Sequence, residues 1–222
     1  MDEKLVKAFQ RRATLTREQL GVDGAKLRPI SALQHVDIAV PGYVGKEYRS
    51  GGLCLVSVNP AGGRDNYSPS TGDQLIYQAA AKLSSGERAD QSARDLEDLG
   101  NAFVSAMPFW GAQWGHVRNI ISAANVDLTS IAYVYLVPFR TKGDAGSSLP
   151  VPVIQSALRH GFFEILNVLD PALVITMDRP SQRATEQWSD RHRRGEVLYY
   201  TRKRDDHAGR ARFLDELRRR NT

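Results

Sequence analysis

Four short runs of consecutive apolar residues stand out against a background of helical spacing: Leu53 to Val58, Ser130 to Val137, Ala172 to Met177 and Glu196 to Thr201. Runs of this length, rich in Val, Ile and Tyr, predict strands, the first three of them buried. Between them the spacing switches to the helical period. Residues 2–12 place Leu5, Val6 and Phe9 on one face, and Thr16 opens a second short helix. Gly72 to Leu83 predicts a helix with Leu75, Ile76 and Ala79 inward, and Val117 to Ala124 another. Val153 to Leu169 predicts one long amphipathic helix closed by Asp170-Pro171, Arg183 to Trp188 a shorter one, and Ala211 to Arg220 the last. Pro41 to Gly45 and Ser50 to Gly52 are expected as turns, and Ser84 to Asn101 as a charged surface segment.

Strands alternating with helices imply parallel pairing with helices on both faces. The expected fold is α/β, a three-layer α/β/α sandwich around a central parallel sheet of about four strands. The 222 residues suffice for one sizeable core, so a single domain over residues 1–222 is expected, with residues 1–40 as an N-terminal helical extension.

Composition narrows the classes. Hydrophobic residues make up 41% and charged residues 25%, which excludes a largely disordered chain. No signal core follows the N-terminus and no run of about eighteen apolar residues occurs, so a cytoplasmic protein without membrane contact is expected. Cys54 is the one cysteine, which rules out an intramolecular disulfide or a cysteine metal cluster; inside an apolar run it reads as a small buried hydrophobe. The net charge of +5 matters less than its placement, because arginines crowd the chain from Arg179 onward. That basic third suits a polyanion, or else forms a solvated surface.

Three loops leave the predicted strands with polar residues: Asn59-Pro-Ala-Gly62-Gly63, Pro138-Phe-Arg140-Thr-Lys142, and Arg204-Asp-Asp-His207-Ala-Gly. In a parallel sheet those ends share one edge, where α/β proteins bind ligands. Asn59 there either caps a turn or orients a water or a base edge, and His207 either lies exposed or stabilises developing negative charge. Arg140 and Lys142 either contact phosphate or cover the sheet edge. The aromatic cluster of Phe103, Phe109, Trp110 and Trp114 serves as core or as a stacking platform. No nucleophile elbow, Walker loop or zinc-protease motif occurs, and His116, His160 and His192 are scattered.

The succession of an apolar strand with Asn-Pro-Ala-Gly-Gly, a strand with Leu-Val-Pro-Phe-Arg-Thr-Lys, the Ile-Thr-Met strand and a final Asp-Asp-His-Ala-Gly-Arg loop and helix resembles the uracil-DNA glycosylase superfamily. The likeness spans about residues 40–217 and is nearest the branches whose first motif reads Gly-hydrophobic-Asn-Pro-Gly. It implies a uracil-DNA glycosylase-like fold and a DNA-repair hydrolase that cleaves the N-glycosidic bond of an extruded, damaged or mismatched base. By the same likeness Asn59 positions the hydrolytic water and His207 stabilises the departing base. Tyr67 stacks on the base, with Tyr77 as a second candidate, and Gly62, Gly63 and Tyr135 complete the base pocket. Arg140, Lys142, Arg204 and Arg210 are the phosphate-binding candidates. The expected partner is single- or double-stranded DNA, bound by a monomer that needs no metal or organic cofactor. Ser57 and Ala61 stand where the family has glycines, no Pro-Ser follows His207, and Tyr135 stands where several branches carry an Asn that reads uracil. A pocket without two carboxamide contacts stacks a base but does not reject cytosine strongly. These departures favour an alternative, a catalytically inactive nucleic-acid- or nucleotide-binding module on the same fold.

Overall fold

The computed structural model describes residues 2–24, 26–28, 37–60, 71–86, 88–142, 149–203 and 205–220. Among them lies a five-stranded mixed sheet: β1 (Gly42–Val44), β2 (Leu53–Ser57), β3 (Ala132–Tyr135), β4 (Leu173–Thr176) and β5 (Glu196–Tyr199), in the order β1-β3-β2-β4-β5. Four strands are parallel: β2 pairs with β3 and with β4, and β4 with β5. The fifth corrects the expectation of an all-parallel sheet. β1 runs antiparallel along β3, with Tyr43 opposite Tyr133, where the sequence predicts only turns.

The glycine that opens β1 and the one just after it explain the difference. Gly42 has φ of +110°, and a Cβ there would lie 2.0 Å from the Tyr133 carbonyl oxygen; one at Gly45 would lie 2.2 Å from that of Thr129. Both are glycine because backbone passes close by, not because the chain turns. Between them Tyr43 is fully buried, its ring stacked on Phe103 at 5.1 Å between centroids.

The first helix, α1 (Glu3–Ala13), starts on an Asp2 cap, and the short α2 (Arg17–Leu20) on a reciprocal capping box between Thr16 and Gln19. The crossover from β2 to β3 carries α3 (Thr71–Ser85), α4 (Ala89–Ala106) and α5 (Ala112–Ala123). That from β3 to β4 carries α6 (Val151–Ala157) and α7 (Phe163–Leu169), and α8 (Arg179–His192) joins β4 to β5. The chain closes with α9 (His207–Arg220). The first crossover moves along the sheet in the opposite direction to the other two.

Three helices depart from the sequence pattern. The segment expected to be surface-bound is largely α4, which buries Leu96, Leu99 and Phe103. In α3 it is Tyr77 that turns inward with Ile76 and Ala79, while Leu75 remains 49% exposed. The expected long helix is broken between α6 and α7, where His160 and Gly161 leave helical geometry and Gly161 has φ of +90°. The break turns carbonyls toward the fully buried Arg12 of α1, whose Nη1 donates to Ala157 O at 3.3 Å and His160 O at 3.2 Å. Cys54 is buried within β2, and burial pushes its thiol up. Among the described residues no helix is long and apolar enough to cross a membrane.

Candidate functional site

Parallel strands end together, and the ends of β2, β3 and β5 surround a cavity of about 290 Å³. From β2 the chain continues through Val58 to Asn59, which is half-buried on the cavity wall. Its Nδ2 donates to Thr141 Oγ1 at 2.6 Å, and Thr141 is buried in the segment that follows β3. The first two polar loops thus meet through one side-chain bond. Arg140, next to Thr141, also lines the cavity and is only 4% exposed.

Beyond β5 the cavity residue is Arg202. Its Nε donates to Met177 O and its Nη1 to Gln113 Oε1, both at 2.8 Å. Gln113, from the first turn of α5, donates through Nε2 to the Tyr133 hydroxyl at 3.1 Å, and that hydroxyl shares a 2.8 Å bond with Ser57 Oγ. Four cavity side chains, from β2, β3, α5 and the segment after β5, are therefore tied into one chain of hydrogen bonds. Burial pushes the Tyr133 phenol up, so it stays a neutral member of that chain.

Aromatic rings make most of the remaining wall. Tyr77, Phe103, Phe109, Trp110, Tyr133 and Tyr135 all line it. Trp110 meets Phe103 edge-on at 5.9 Å between centroids, and Tyr133 meets Tyr135 edge-on at 5.2 Å. Phe109 stands at 84% exposure on a short 3-10 turn, Met107–Phe109, whose Met107 is fully buried. The cluster is both core and wall: Phe103 belongs to the interior, and Phe109 faces outward. The Tyr77 phenol is pushed up by burial and drawn back by the neighbouring Arg140. Asp73, in the first turn of α3, lines the cavity and accepts a hydrogen bond from Trp110 Nε1 at 3.1 Å.

Behind this wall Asp178 follows β4 and caps α8. Its two carboxylate oxygens accept from Val58 N and Ser181 N, each at 2.8 Å. Burial pushes the carboxyl up, and the two amides and Arg202 oppose that. Asp178 thereby fixes the exit of β2 one residue before Asn59.

Of the residues singled out in the sequence, Asn59, Tyr135 and Arg140 come together on this cavity, as does the second stacking candidate, Tyr77. His207 does not line it. His207 is the exposed first residue of α9, and Arg210 Nη2 donates to its Nδ1 at 2.9 Å. Lys142 is half-buried outside the cavity lining, where its backbone N donates to Leu27 O at 2.7 Å. Arg210 is also off the cavity lining; besides His207 it bonds the Lys203 carbonyl. Gly62, Gly63, Tyr67 and Arg204 lie outside the described residues.

Sequence reasoning missed Asp73, Gln113, Thr141, Asp178 and Arg202. Asp178 did carry a signal, since a strand followed by Asp-Arg-Pro marks a capped helix start. Asp73 and Gln113 carry none, because only the packing of α3 and α5 over the sheet edge brings them to the cavity. Among the described residues no group of three or more His, Cys, Asp or Glu could hold a metal ion. Comparison with protein-family models and with curated proteins finds no match for this chain.

Proposed function

We propose that this chain is a uracil-DNA glycosylase-like N-glycosyl hydrolase that takes a base extruded from DNA into the aromatic cavity and cleaves its bond to the sugar. The observation that carries the reading is Asn59, held by Thr141 at the C-terminal end of β2 in a cavity walled by rings. A base enclosed by Tyr77, Phe109 and Trp110 gains stacking energy that offsets its loss of pairing in the duplex. With Nδ2 bound to Thr141, the Asn59 carbonyl oxygen is the acceptor that holds a water beside the sugar. That water adds its oxygen to C1′ as the C1′–N bond breaks and the bonding pair leaves with the base. The water's proton then neutralises the base anion.

Cations in the cavity stabilise that anion before the proton arrives. Arg140 and Arg202 line the cavity and His207 does not, so the two arginines take the role that the resemblance implies for His207. An arginine remains charged across the working pH range, so base release is expected without a histidine-like acidic limb.

The direct test incubates the protein with oligonucleotides, single- and double-stranded, carrying uracil, hypoxanthine, guanine or mismatched thymine, and scores abasic sites. Release from at least one substrate is expected. Asn59→Ala should abolish it while leaving the circular dichroism and melting curve intact. No release from any substrate would overturn the hydrolase reading. The placement of His207 off the cavity favours a second reading, a binding module without hydrolysis. Salt-sensitive binding with no abasic product is the result that selects it.

A further inference from the structure

Four of the side chains around the cavity are joined end to end, and the first of them fixes the direction of every bond in the series. Arg202 only donates, so the Gln113 atom that faces it at 2.8 Å is the carbonyl oxygen. Gln113 Nε2 is thereby turned to the Tyr133 hydroxyl at 3.1 Å, with Met177 Sδ at 3.9 Å as its second acceptor. Tyr133 accepts that bond and still carries its own hydrogen, since burial keeps the phenol from ionising. The other partner of Tyr133 Oη is Ser57 Oγ at 2.8 Å, and no further acceptor is bonded to it among the described residues. A buried hydroxyl hydrogen without an acceptor is costly, so Tyr133 donates and Ser57 accepts.

The series therefore runs one way, from Arg202 through Gln113 and Tyr133 to Ser57. It ends on a hydrogen. Ser57 is 3% exposed and lines the cavity, and its Oγ has no second partner among the described residues. Its O–H is the last donor of a chain in which each bond polarises the next, and the cavity is where its acceptor must lie.

Position narrows what that acceptor is. Asn59 is half-buried at the end of the sheet, and Ser57 lies two residues farther in along the chain, roughly 6–7 Å at strand spacing. A base whose sugar bond is held at Asn59 extends its far edge to about that depth. There uracil and thymine carry O4, and guanine and hypoxanthine carry O6, all of them acceptors, whereas cytosine and adenine carry an amino group. An amino group would meet Ser57 donor to donor and leave the hydroxyl hydrogen without a partner.

We infer that Ser57 reads the bound base, donating to the carbonyl oxygen on its far edge, with its polarity set by Arg202 through Gln113 and Tyr133. The inference rests on the reading of this cavity as a base pocket with the sugar at Asn59. It does not require that the bond to sugar be cleaved.

The test titrates the whole chain by calorimetry with the 5′-monophosphates of deoxyuridine, deoxycytidine, deoxyinosine and deoxyadenosine, and with short strands of stable abasic sites that carry one of these bases. Uracil should bind roughly tenfold tighter than cytosine, and hypoxanthine roughly tenfold tighter than adenine, because each pair exchanges the carbonyl oxygen at that position for an amino group. Ser57→Ala should bring both ratios close to one. Gln113→Glu tests the direction of the series without touching Ser57. The carboxylate it introduces only accepts, so it takes the Arg202 bond and also the Tyr133 hydrogen. Ser57 then donates to Tyr133 and presents lone pairs to the base, and both ratios should invert. A side chain that merely supports the wall would leave them unchanged. Ratios near one in the parent chain, ratios kept in Gln113→Glu, or no binding of any probe in either form would overturn the inference. Should one variant fail to fold, the other and the parent ranking decide. Base release scored on the same strands separates the two claims. Selective binding without release leaves this inference and removes the hydrolase; release with ratios near one does the reverse.

Discussion

Asn59 can act only if it is aimed, and the residue that aims it is Thr141. Replacing Thr141 by valine keeps the shape of a buried side chain and removes the hydroxyl, so the Asn59 carboxamide loses its anchor. Base release in Thr141→Val is expected to fall about tenfold, the cost of one lost positioning bond, with substrate binding little changed. Thr141→Ser should restore it, and single-turnover rates on a fixed oligonucleotide measure both. A second residue-scale expectation concerns acid. His116 is half-buried, shares a 3.2 Å bond between its Nδ1 and the Tyr200 hydroxyl, and has its pKa held below the ordinary 6.5 by burial and by Arg202 and Arg210. The unfolded chain therefore takes up this proton more readily than the folded one. Its contribution to stability is present above about pH 6.5 and is lost as the pH falls through the lowered folded value. Urea unfolding at pH 7 and pH 5 should show a smaller acid loss in His116→Gln than in the parent chain. An equal loss in both would assign it to other groups.

At the scale of elements, the N-terminal helices are part of the site's support rather than an appendage. Arg12 of α1 donates through Nη2 to the carbonyls of Tyr135 and Leu136 at 2.8 Å, and Arg17 of α2 donates to that of Arg140 at 2.8 Å. Two buried guanidiniums thus grip the strand exit that carries Tyr135, Arg140 and Thr141. Burial pulls both guanidiniums below their ordinary range, so these contacts cost solvation that the backbone bonds must offset. Arg12→Met leaves four carbonyls short of a donor, each worth about 1–3 kcal/mol. A loss of at least about 3 kcal/mol is expected, read as a lower urea midpoint at unchanged slope. These grips explain what the sequence did and did not disclose. The four parallel strands were legible because each is a continuous apolar run, and Asn59 because it ends one. β1 was not, since two residues between glycines carry no period and Gly42 is set by the approach of Tyr133 O. The break at Gly161 was hidden because Leu158, Phe162, Ile165 and Leu169 keep the helical spacing across it. Asp73 and Gln113 reach the cavity through helix packing alone, which no local pattern records.

For the whole molecule, the question left by the sequence is whether the basic C-terminal third meets a polyanion or only water. Its charges are less available than their number suggests. Arg194 pairs with Asp170, Arg218 with Asp215, and Arg220 with Glu196 and Glu216. Arg179 lies over the Tyr199 ring at 4.1 Å, and Arg202 is tied into the cavity wall. Lys203 and Arg212 are exposed and have no carboxylate partner among the described residues. Lys203 follows Arg202 directly, so its charge flanks the cavity that would hold an extruded base. If both residues meet phosphates, each contact contributes about 0.7 to the slope of log affinity against log salt on a single strand. The double variant Lys203→Ala, Arg212→Ala should then bind a single-stranded oligonucleotide more weakly at low salt, with a slope shallower by about 1.4. Its base preference should be unchanged, because phosphate contacts position a strand without reading it. An unaltered slope would make these charges a solvated surface. The polyanion's path would then have to be sought among Arg183, Arg191 and Arg193, which are exposed on α8 and the turn after it.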